Sequence, residues 1–429
     1  MAIFPLDRLF VLRVVIKRVM STAREAEAVV AVTGLGAVTA LGEDTASSWK
    51  SVLEGLDGRR PVDLFETEGC RCRSAAQAAI PDILTLTSKE IQRLPRTSRF
   101  AIPAAREALA QAGLLLPNGQ AKLPQIPLCL ATTEGGMEFG ERFLEEILAG
   151  RKGHLHWVGR YQPEQQAIDL QRCLGLCGRS VVVANSCSSG ADALGYAAQL
   201  IWTGEASCVL AGGFEALAET VFVGFDSLRI LTTERCAPFD RGRSGLLLGE
   251  GAAFLVLESL EHALARRARP LCRLTGYGQA TDLYHLTQPS PDGRALCQAM
   301  ESALTQAKVS PEAVGYLNAH GTGTALNDEA EAHAYSRFFG AGWKSPRMSS
   351  TKAIIGHTLG AAGAIEAVFS VLALSTGRLP PQWNSPDPLP EVERALVRPL
   401  EPPFPLDHTM SVNVGFGGTN AALLFSRHD

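Results

Sequence analysis

Ser180-Val-Val-Val-Ala-Asn-Ser-Cys187-Ser-Ser-Gly-Ala-Asp-Ala-Leu-Gly-Tyr-Ala-Ala is the stretch from which the fold can be read. Its apolar run lacks polar alternation, which marks a strand covered on both faces. Small residues follow and helical spacing then begins, so the chain turns from strand to helix around Cys187. The sulfur therefore belongs at an elbow ahead of a helix N-terminus, where the macrodipole favours a thiolate and hence a nucleophile. Gly190, Ala191 and Ala193 are expected to leave room for a substrate. A cysteine that merely fills space at a tight turn is the plainer alternative.

Similar runs lie on either side: Val29-Val-Ala-Val-Thr33, Ile126-Pro-Leu-Cys-Leu-Ala-Thr132, Cys208-Val-Leu-Ala211 and Ala253-Phe-Leu-Val-Leu257. Helical patterns such as Ser98 to Ala112 and Ala191 to Trp202 separate them, which predicts an α/β protein. Two internal echoes accompany the pattern. Ala31-Val-Thr-Gly-Leu-Gly36 is answered by Arg273-Leu-Thr-Gly-Tyr-Gly278, and Val209-Leu-Ala-Gly-Gly-Phe214 by Asn413-Val-Gly-Phe-Gly-Gly418. Matches this short also arise by chance among 41 glycines, so the echoes alone leave duplication open. Read as a repeat, they divide the chain near Arg269-Pro270 into halves over residues 28–270 and 271–429, behind an extension of residues 1–27. No long Pro/Ser/Gly-rich connector appears, which favours two halves of one body over separate beads.

Composition bounds the rest. A chain of 429 residues is about three times the ~150-residue domain prior, and with 46% hydrophobic and 20% charged residues it has the material for a large core. A net charge of -4 argues against a nucleic-acid partner, whose phosphates demand a basic excess. The ten cysteines are scattered without zinc-ligand spacing, so a reducing, cytoplasmic setting is expected. Residues 1–19 mix an apolar run with Arg8, Arg13, Lys17 and Arg18, which suits a flexible or mis-started extension better than a signal or a span. No other stretch is expected to reach membrane-spanning length, and no stable membrane insertion follows.

A cysteine nucleophile needs polar partners. Val314-Gly-Tyr-Leu-Asn-Ala-His320-Gly-Thr-Gly-Thr324 reads as a strand emptying into a loop. Ser349-Ser-Thr-Lys352-Ala-Ile-Ile-Gly-His357-Thr-Leu-Gly-Ala-Ala-Gly-Ala-Ile-Glu366 reads as a loop opening a helix. With nine histidines in the chain, two in such settings are suggestive, although either also reads as a hydrogen-bonded core residue. Ser411-Val-Asn-Val-Gly-Phe416-Gly-Gly-Thr-Asn420 ends a strand in a Gly-rich turn whose amides suit an oxyanion. Gly34-Leu-Gly36 lacks the third glycine of a dinucleotide fingerprint, no P-loop occurs, and nothing requires a metal.

Taken in order, Asn-Ser-Cys187-Ser-Ser-Gly, Pro238-Phe-Asp-x3-Ser-Gly with Gly249-Glu-Gly251, and Asn318-Ala-His320-Gly-Thr-Gly-Thr324 form the first part of a pattern. Lys352-x4-His357-x2-Gly-Ala-Ala-Gly and Asn-x-Gly-Phe416-Gly-Gly-Thr-Asn complete it. The whole resembles the β-ketoacyl-[acyl-carrier-protein] synthases, nearest the synthase II type and the type II polyketide ketosynthases, over roughly residues 28–427. The resemblance implies the thiolase fold, an internally duplicated five-layered αβαβα arrangement. It implies decarboxylative Claisen condensation of an acyl group with malonyl-acyl-carrier protein, in fatty acid or polyketide/polyene biosynthesis. Implied partners are an acyl carrier protein and a second subunit, either a homodimer mate or a ketosynthase-like sister. No cofactor is implied, the substrates being carried on the phosphopantetheine of the carrier protein.

By the same resemblance Cys187 accepts the acyl group, and His320 and His357 bind the malonyl thioester carbonyl and promote decarboxylation. Lys352 matches the active-site lysine, electrostatic rather than nucleophilic, with Glu366 as its ionic partner. Phe416 matches a gating phenylalanine whose amide joins that of Cys187 in the oxyanion hole. Thr322 and Thr324 match threonines that contact the pantetheine arm. Glu134-Gly-Gly-Met-Glu-Phe-Gly140 falls where the family lines its distal acyl pocket near the dimer interface, with Gly140 near the floor.

The chain departs from the pattern at Asn185-Ser186, usually Thr-Ala, and at Arg243-Ser-Gly-Leu246, usually Arg-Asp-Gly-Phe. These changes favour a specialised substrate, with Asn185 and Ser186 adding polar groups beside the nucleophile. A degradative thiolase would need a late second cysteine, yet none follows Cys297. A non-catalytic chain-length-factor-like subunit would be expected to lack Cys187.

Overall fold

The computed structural model describes residues 28–83, 87–403 and 405–428; the extension expected over residues 1–27 lies outside them. The first half runs β1 (Val30–Thr39), α1 (Arg96–Gln111), β2 (Leu128–Ala131), α2 (Met137–Leu148), α3 (Leu155–Tyr161), α4 (Glu164–Leu174), β3 (Ser180–Val183), α5 (Ser189–Trp202), β4 (Cys208–Glu215) and β5 (Gly251–Ser259). The second runs β6 (Cys272–Thr281), α6 (Arg294–Ala307), β7 (Val314–Asn318), α7 (Ala325–Phe339), β8 (Arg347–Ser349), α8 (Ala362–Thr376), β9 (His408–Gly415) and β10 (Thr419–Ser426).

These strands form one sheet in the order β8-β7-β9-β10-β6-β1-β5-β4-β2-β3. Reading outward from the β6–β1 junction, the order 1-5-4-2-3 is answered by 6-10-9-7-8, which is the same topology used twice. The pairing senses repeat as well. β1–β5–β4 and β6–β10–β9 are antiparallel, whereas β4–β2–β3 and β9–β7–β8 are parallel. Helices α5 and α8 pack on each other between the half-sheets, while α1 with α4 and α6 with α7 cover the outer faces. The result is the five-layered αβαβα arrangement.

Two covered faces explain the unbroken apolar runs of β1, β2, β4 and β5, but not that of β3, an edge strand whose Val181, Val182 and Val183 are only half-buried. In β4, Val209 and Ala211 face the central layer while Leu210 and Phe214 join the outer cluster around α1. Each such buried Val, Leu or Phe contributes on the order of 1.5–3 kcal/mol. The first echo marks equivalent positions. A Cβ at Gly34 or Gly36 would lie 2.1 Å or 1.9 Å from a carbonyl oxygen of α1, and at Gly276 or Gly278 the same distances from carbonyls of α6. Each Gly-x-Gly lets an outer helix lie directly on its strand. The second echo is not a pair of equivalents, because Val209–Phe214 lies within β4 whereas Asn413–Gly418 runs off the end of β9 into a turn.

Two readings of small and apolar residues need correction. Gly190 and Ala191 make room for a helix rather than a substrate, since a Cβ at Gly190 would lie 2.6 Å from the Ala364 nitrogen and one at Gly363 would lie 2.4 Å from that of Ala191. A stretch of membrane-spanning length does occur among the described residues, Leu359–Thr376, with mean hydropathy 1.6. It is 83% buried, and it is apolar all round because it fills the central layer between two half-sheets.

Candidate active site

The close crossing of α5 and α8 brings together the segments that precede them. Cys187 follows β3, Lys352 and His357 follow β8, His320 follows β7, and Phe416 stands in the turn between β9 and β10. All four loops leave the C-terminal ends of parallel or hairpin strands on one side of the sheet. They converge on a cavity of about 450 Å³ lined by Cys187, His320, His357, Phe416, Thr322 and Thr324 among others.

At its inner end the Cys187 sulfur and one ring nitrogen from each histidine lie within 4.8 Å of one another. The imidazoles are edge to face, with centroids 5.1 Å apart. Both are buried, and burial followed by the nearby Lys352 cation holds each far below the ordinary histidine range. They are neutral, and their partners fix which nitrogen carries the proton. The Leu359 amide donates to Nδ1 of His357 at 3.2 Å, and Lys352 Nζ lies 3.2 Å from Nδ1 of His320. Nδ1 being occupied as an acceptor, Nε2–H is left to the cavity on both rings. Two N–H donors beside a thiol suit a developing oxyanion better than a metal ion, which would need bare Nε2 lone pairs.

Lys352 itself stands behind His320. Its ammonium also donates to the His320 carbonyl at 2.7 Å and pairs with Glu366, filling three donors with three acceptors. Glu366 takes a further bond from Asn413 Nδ2 at 2.7 Å. Thr322 and Thr324 share a 2.8 Å hydroxyl contact on the cavity wall. The Phe416 amide reaches the Cys187 sulfur, and its ring stacks on Phe225 with planes 9° apart.

Two site expectations meet a different geometry, and a third residue lies outside this cavity. The Cys187 thiol is pushed up to about 11, because burial outweighs the opposing pull of Lys352 and the Phe416 amide. The sulfur sits ahead of α5 in an enclosed position, where burial opposes the thiolate that the helix end favours. Gly140 is not brought to this cavity; on α2 its Cβ would meet the Tyr161 ring at 3.2 Å. Asn185 does not add polarity to the cavity either, because its amide is turned to Asp192 at 2.6 Å.

Sequence reasoning missed the carboxylates that hold these loops. Glu331 accepts from the amides of His320 at 2.9 Å and Gly321 at 2.7 Å, and burial raises it to about 7. Asp328 accepts from the Phe239 amide at 2.8 Å, joining the central loop to the His320 loop. Glu215 gathers the amides of Thr133, Glu134 and Gly360. The legible signal was Asn327-Asp-x2-Glu331, two residues beyond His-Gly-Thr-Gly-Thr, acids on an otherwise buried helix face.

Family models for the beta-ketoacyl synthase N-terminal and C-terminal domains match residues 27–263 and 271–385. The 3-oxoacyl-[acyl-carrier-protein] synthase 2 of Staphylococcus aureus (strain N315) is 34% identical over 409 residues, covering 93% of this chain and 98% of that protein. Among solved structures, the ishigamide ketosynthase/chain length factor superposes with a TM-score of 0.86 at 30% identity, over 94% of this chain and 100% of the other. A type II polyketide ketosynthase, AntDE, solved with its acyl-carrier protein AntF and bound to the hexaketide, gives 0.82 at 26% identity, with 94% and 100% covered. With two matched domain models, a shared topology and these catalytic-type residues in one cavity, the chain belongs to the beta-ketoacyl synthase family.

Proposed function

We propose that this protein condenses an acyl group carried on Cys187 with malonyl-acyl-carrier protein, releasing CO₂ and a β-ketoacyl-carrier protein. The observation that carries the reading is the grouping of the Cys187 sulfur with two neutral, Nε2-protonated imidazoles in one cavity. In the first half-reaction the sulfur attacks an acyl thioester and the pantetheine sulfur leaves, with the thiol proton of Cys187 ending on the departing thiol. The thioester is conserved, so no ATP is consumed. In the second, the bond between the malonyl carboxylate and its methylene breaks, and the electron pair passes into an enolate whose oxygen accepts from His320 and His357 Nε2–H. The enolate carbon attacks the acyl carbonyl, the oxyanion is met by the amides of Cys187 and Phe416, and the Cys187 thiolate is expelled.

Thr322 and Thr324 line the cavity wall, which supports a role in meeting the pantetheine arm. A carrier protein is the expected partner, as in the AntDE–AntF complex. A second subunit is supported by two surfaces. β3 is an open sheet edge, which invites strand pairing, and α2 and the start of α3 expose Leu144, Ile147, Leu148 and Leu155. Both a homodimer and a pairing with a chain-length-factor-like sister fit these surfaces. The intact Cys187–His320–His357 group favours a catalytic subunit over a non-catalytic one, in a cytoplasmic fatty acid or polyketide pathway.

The test is acyl loading and CO₂ release by the purified protein with a panel of acyl- and malonyl-carrier proteins. Acylation mapped to Cys187 and a condensed product are expected. Absence of both with every carrier, from a folded sample, would sink the proposal.

A further inference from the structure

Asp192 lies buried in the first turn of α5 and meets three side chains from two segments. Asn185 Nδ2 donates to Oδ2 at 2.6 Å, Ser188 Oγ lies 2.9 Å from the same oxygen, and Tyr277 OH donates to Oδ1 at 2.8 Å. Asn185 and Ser188 flank the nucleophile, while Tyr277 comes from β6 in the other half of the molecule. Ser188 Oγ is also 3.1 Å from Thr419 Oγ1, and Thr419 pairs with Gly415 across the hairpin whose turn carries Phe416.

Inside this frame sits Ser186 with φ 51. A residue with a side chain holds that left-handed conformation only where its surroundings over-determine it. The Ser189 hydroxyl supplies part of the hold, accepting from the Asn185 amide at 2.7 Å and donating to the Ser186 carbonyl at 2.6 Å. Asp192 supplies the rest by tying both ends of the elbow to the second half. Neither Asp192, Asn185 nor Tyr277 lines the cavity, so none can act by touching substrate.

We propose that Asp192 is a positioning residue which, with Asn185 and Tyr277, clamps the Ser186 elbow so that the Cys187 sulfur stays registered against the Phe416 amide and the two imidazoles. The inference rests on Cys187 being the acyl-accepting residue. It separates the half-reactions: acyl loading depends on where the sulfur stands, whereas decarboxylation depends on the histidines, which are held by Lys352, Leu359 and Glu331 instead.

The test compares loading from an octanoyl N-acetylcysteamine thioester, read by intact mass and peptide mapping, with CO₂ release from malonyl-N-acetylcysteamine. The variants are Tyr277→Phe, Asp192→Asn and the exchange Asn185→Asp with Asp192→Asn. In Asp192→Asn one carbonyl oxygen remains where two carboxylate oxygens served Asn185 with Ser188 and Tyr277, so one side loses its acceptor; the exchange restores an N–H···O pair between residues 185 and 192 with its direction reversed. Single variants are expected to load about 10- to 100-fold more slowly, the cost of a misplacement near 1 Å, with CO₂ release within about twofold. The exchange should recover most of the loading rate, which a general loss of packing would not. Wild-type loading rates in both single variants would overturn the clamp, as would equal losses in both half-reactions together with a lowered Tm. Should Asp192→Asn not fold, Tyr277→Phe, which removes one hydroxyl, decides the matter alone. Octanoyl mapped in the wild type to a residue other than Cys187 would overturn the nucleophile reading, and this inference with it.

Discussion

The Lys352 ammonium lies 3.2 Å from Nδ1 of His320, on the edge of the ring that does not serve the cavity. A cation there, added to complete burial, penalises a second positive charge on either imidazole. The lysine thus acts on the reaction by keeping two hydrogen-bond donors neutral. Its own charge is balanced by Glu366 in a fully buried pair.

Decarboxylation should therefore stay level as pH falls through 6.5, the ordinary histidine value, because neither ring takes up a proton there. Replacing Lys352 removes the second cause of the depression and should move the acid limb of the pH profile upward. Lys352→Met alone would strand the Glu366 carboxylate, at a cost of about 3–5 kcal/mol. The paired change Lys352→Met with Glu366→Leu avoids that penalty. CO₂ release from malonyl thioester, followed from pH 5 to 8, checks the shift, and an unmoved limb would show that Lys352 does not set the histidines' charge.

Cys187 gives the second prediction. With its thiol raised to about 11 by burial, alkylation by iodoacetamide should climb roughly tenfold per pH unit through neutral and mildly alkaline pH, following the thiolate fraction. At neutral pH the exposed Cys177 should label first. An acyl thioester bound in the cavity should protect Cys187 and leave Cys177 unaffected. Peptide mapping over time distinguishes the two sites, and a flat pH dependence at Cys187 would contradict the buried, protonated thiol.

The elbow around Cys187 also marks the boundary of what the chain discloses on its own. The strand, the turn and the helix were legible from Ser180 to Ala198, because a β-branched run and a small-residue helix each carry a local signal. Gly34, Gly36, Gly276 and Gly278 carried the duplication, since only glycine tolerates a helix carbonyl so close. Pairings between distant residues were not legible. Nothing local says that Asn185 turns inward to Asp192, that Gly140 faces Tyr161, or that Gly190 is small for the sake of Ala364. The rise of the thiol was not legible for the same reason: the helix end is local, while the enclosure that opposes it comes from four separate loops.

The third prediction concerns the ring of Phe416, held flat against Phe225 with centroids 5.8 Å apart. Gly417 and Gly418 follow it at φ 81, and a Cβ on Gly417 would touch nothing, so its backbone conformation, rather than space, calls for glycine. Swinging the ring off Phe225 would open the cavity beside Cys187 without breaking a hydrogen bond of the side chain. Phe416→Ala should leave Tm within a few degrees while changing acyl loading and malonyl decarboxylation by different factors. Gly417→Ala should slow both by restraining the turn. Single-turnover measurement of each half-reaction checks this, and unchanged kinetics in Phe416→Ala would remove the gate.

The last prediction turns on Glu134, which sits at the end of β2 with its Oε2 buried and without a hydrogen-bond partner. Burial pushes its carboxyl well above 4.5, and Glu215, Glu141, Glu138 and Glu250 add to the same direction. An acid raised in the folded state binds more protons folded than unfolded at any pH above 4.5 and below its folded value. Stability must then fall as pH rises through that window. Glu134→Gln keeps the shape and removes the titration, so the variant should match the wild type near pH 4.5 and surpass it by on the order of 1–3 kcal/mol at pH 8. Urea midpoints at the two pH values measure the difference directly. Raised acids that do not act on Glu134, among them Glu331 and Asp328, contribute equally to both proteins and cancel in the comparison, while relief of Glu215 and Glu138 adds to the gain of the variant at pH 8. A constant gap between variant and wild type across pH would mean that Glu134 does not titrate on folding. A wild type that is the more stable at pH 8 would mean that its charge is compensated by a partner group.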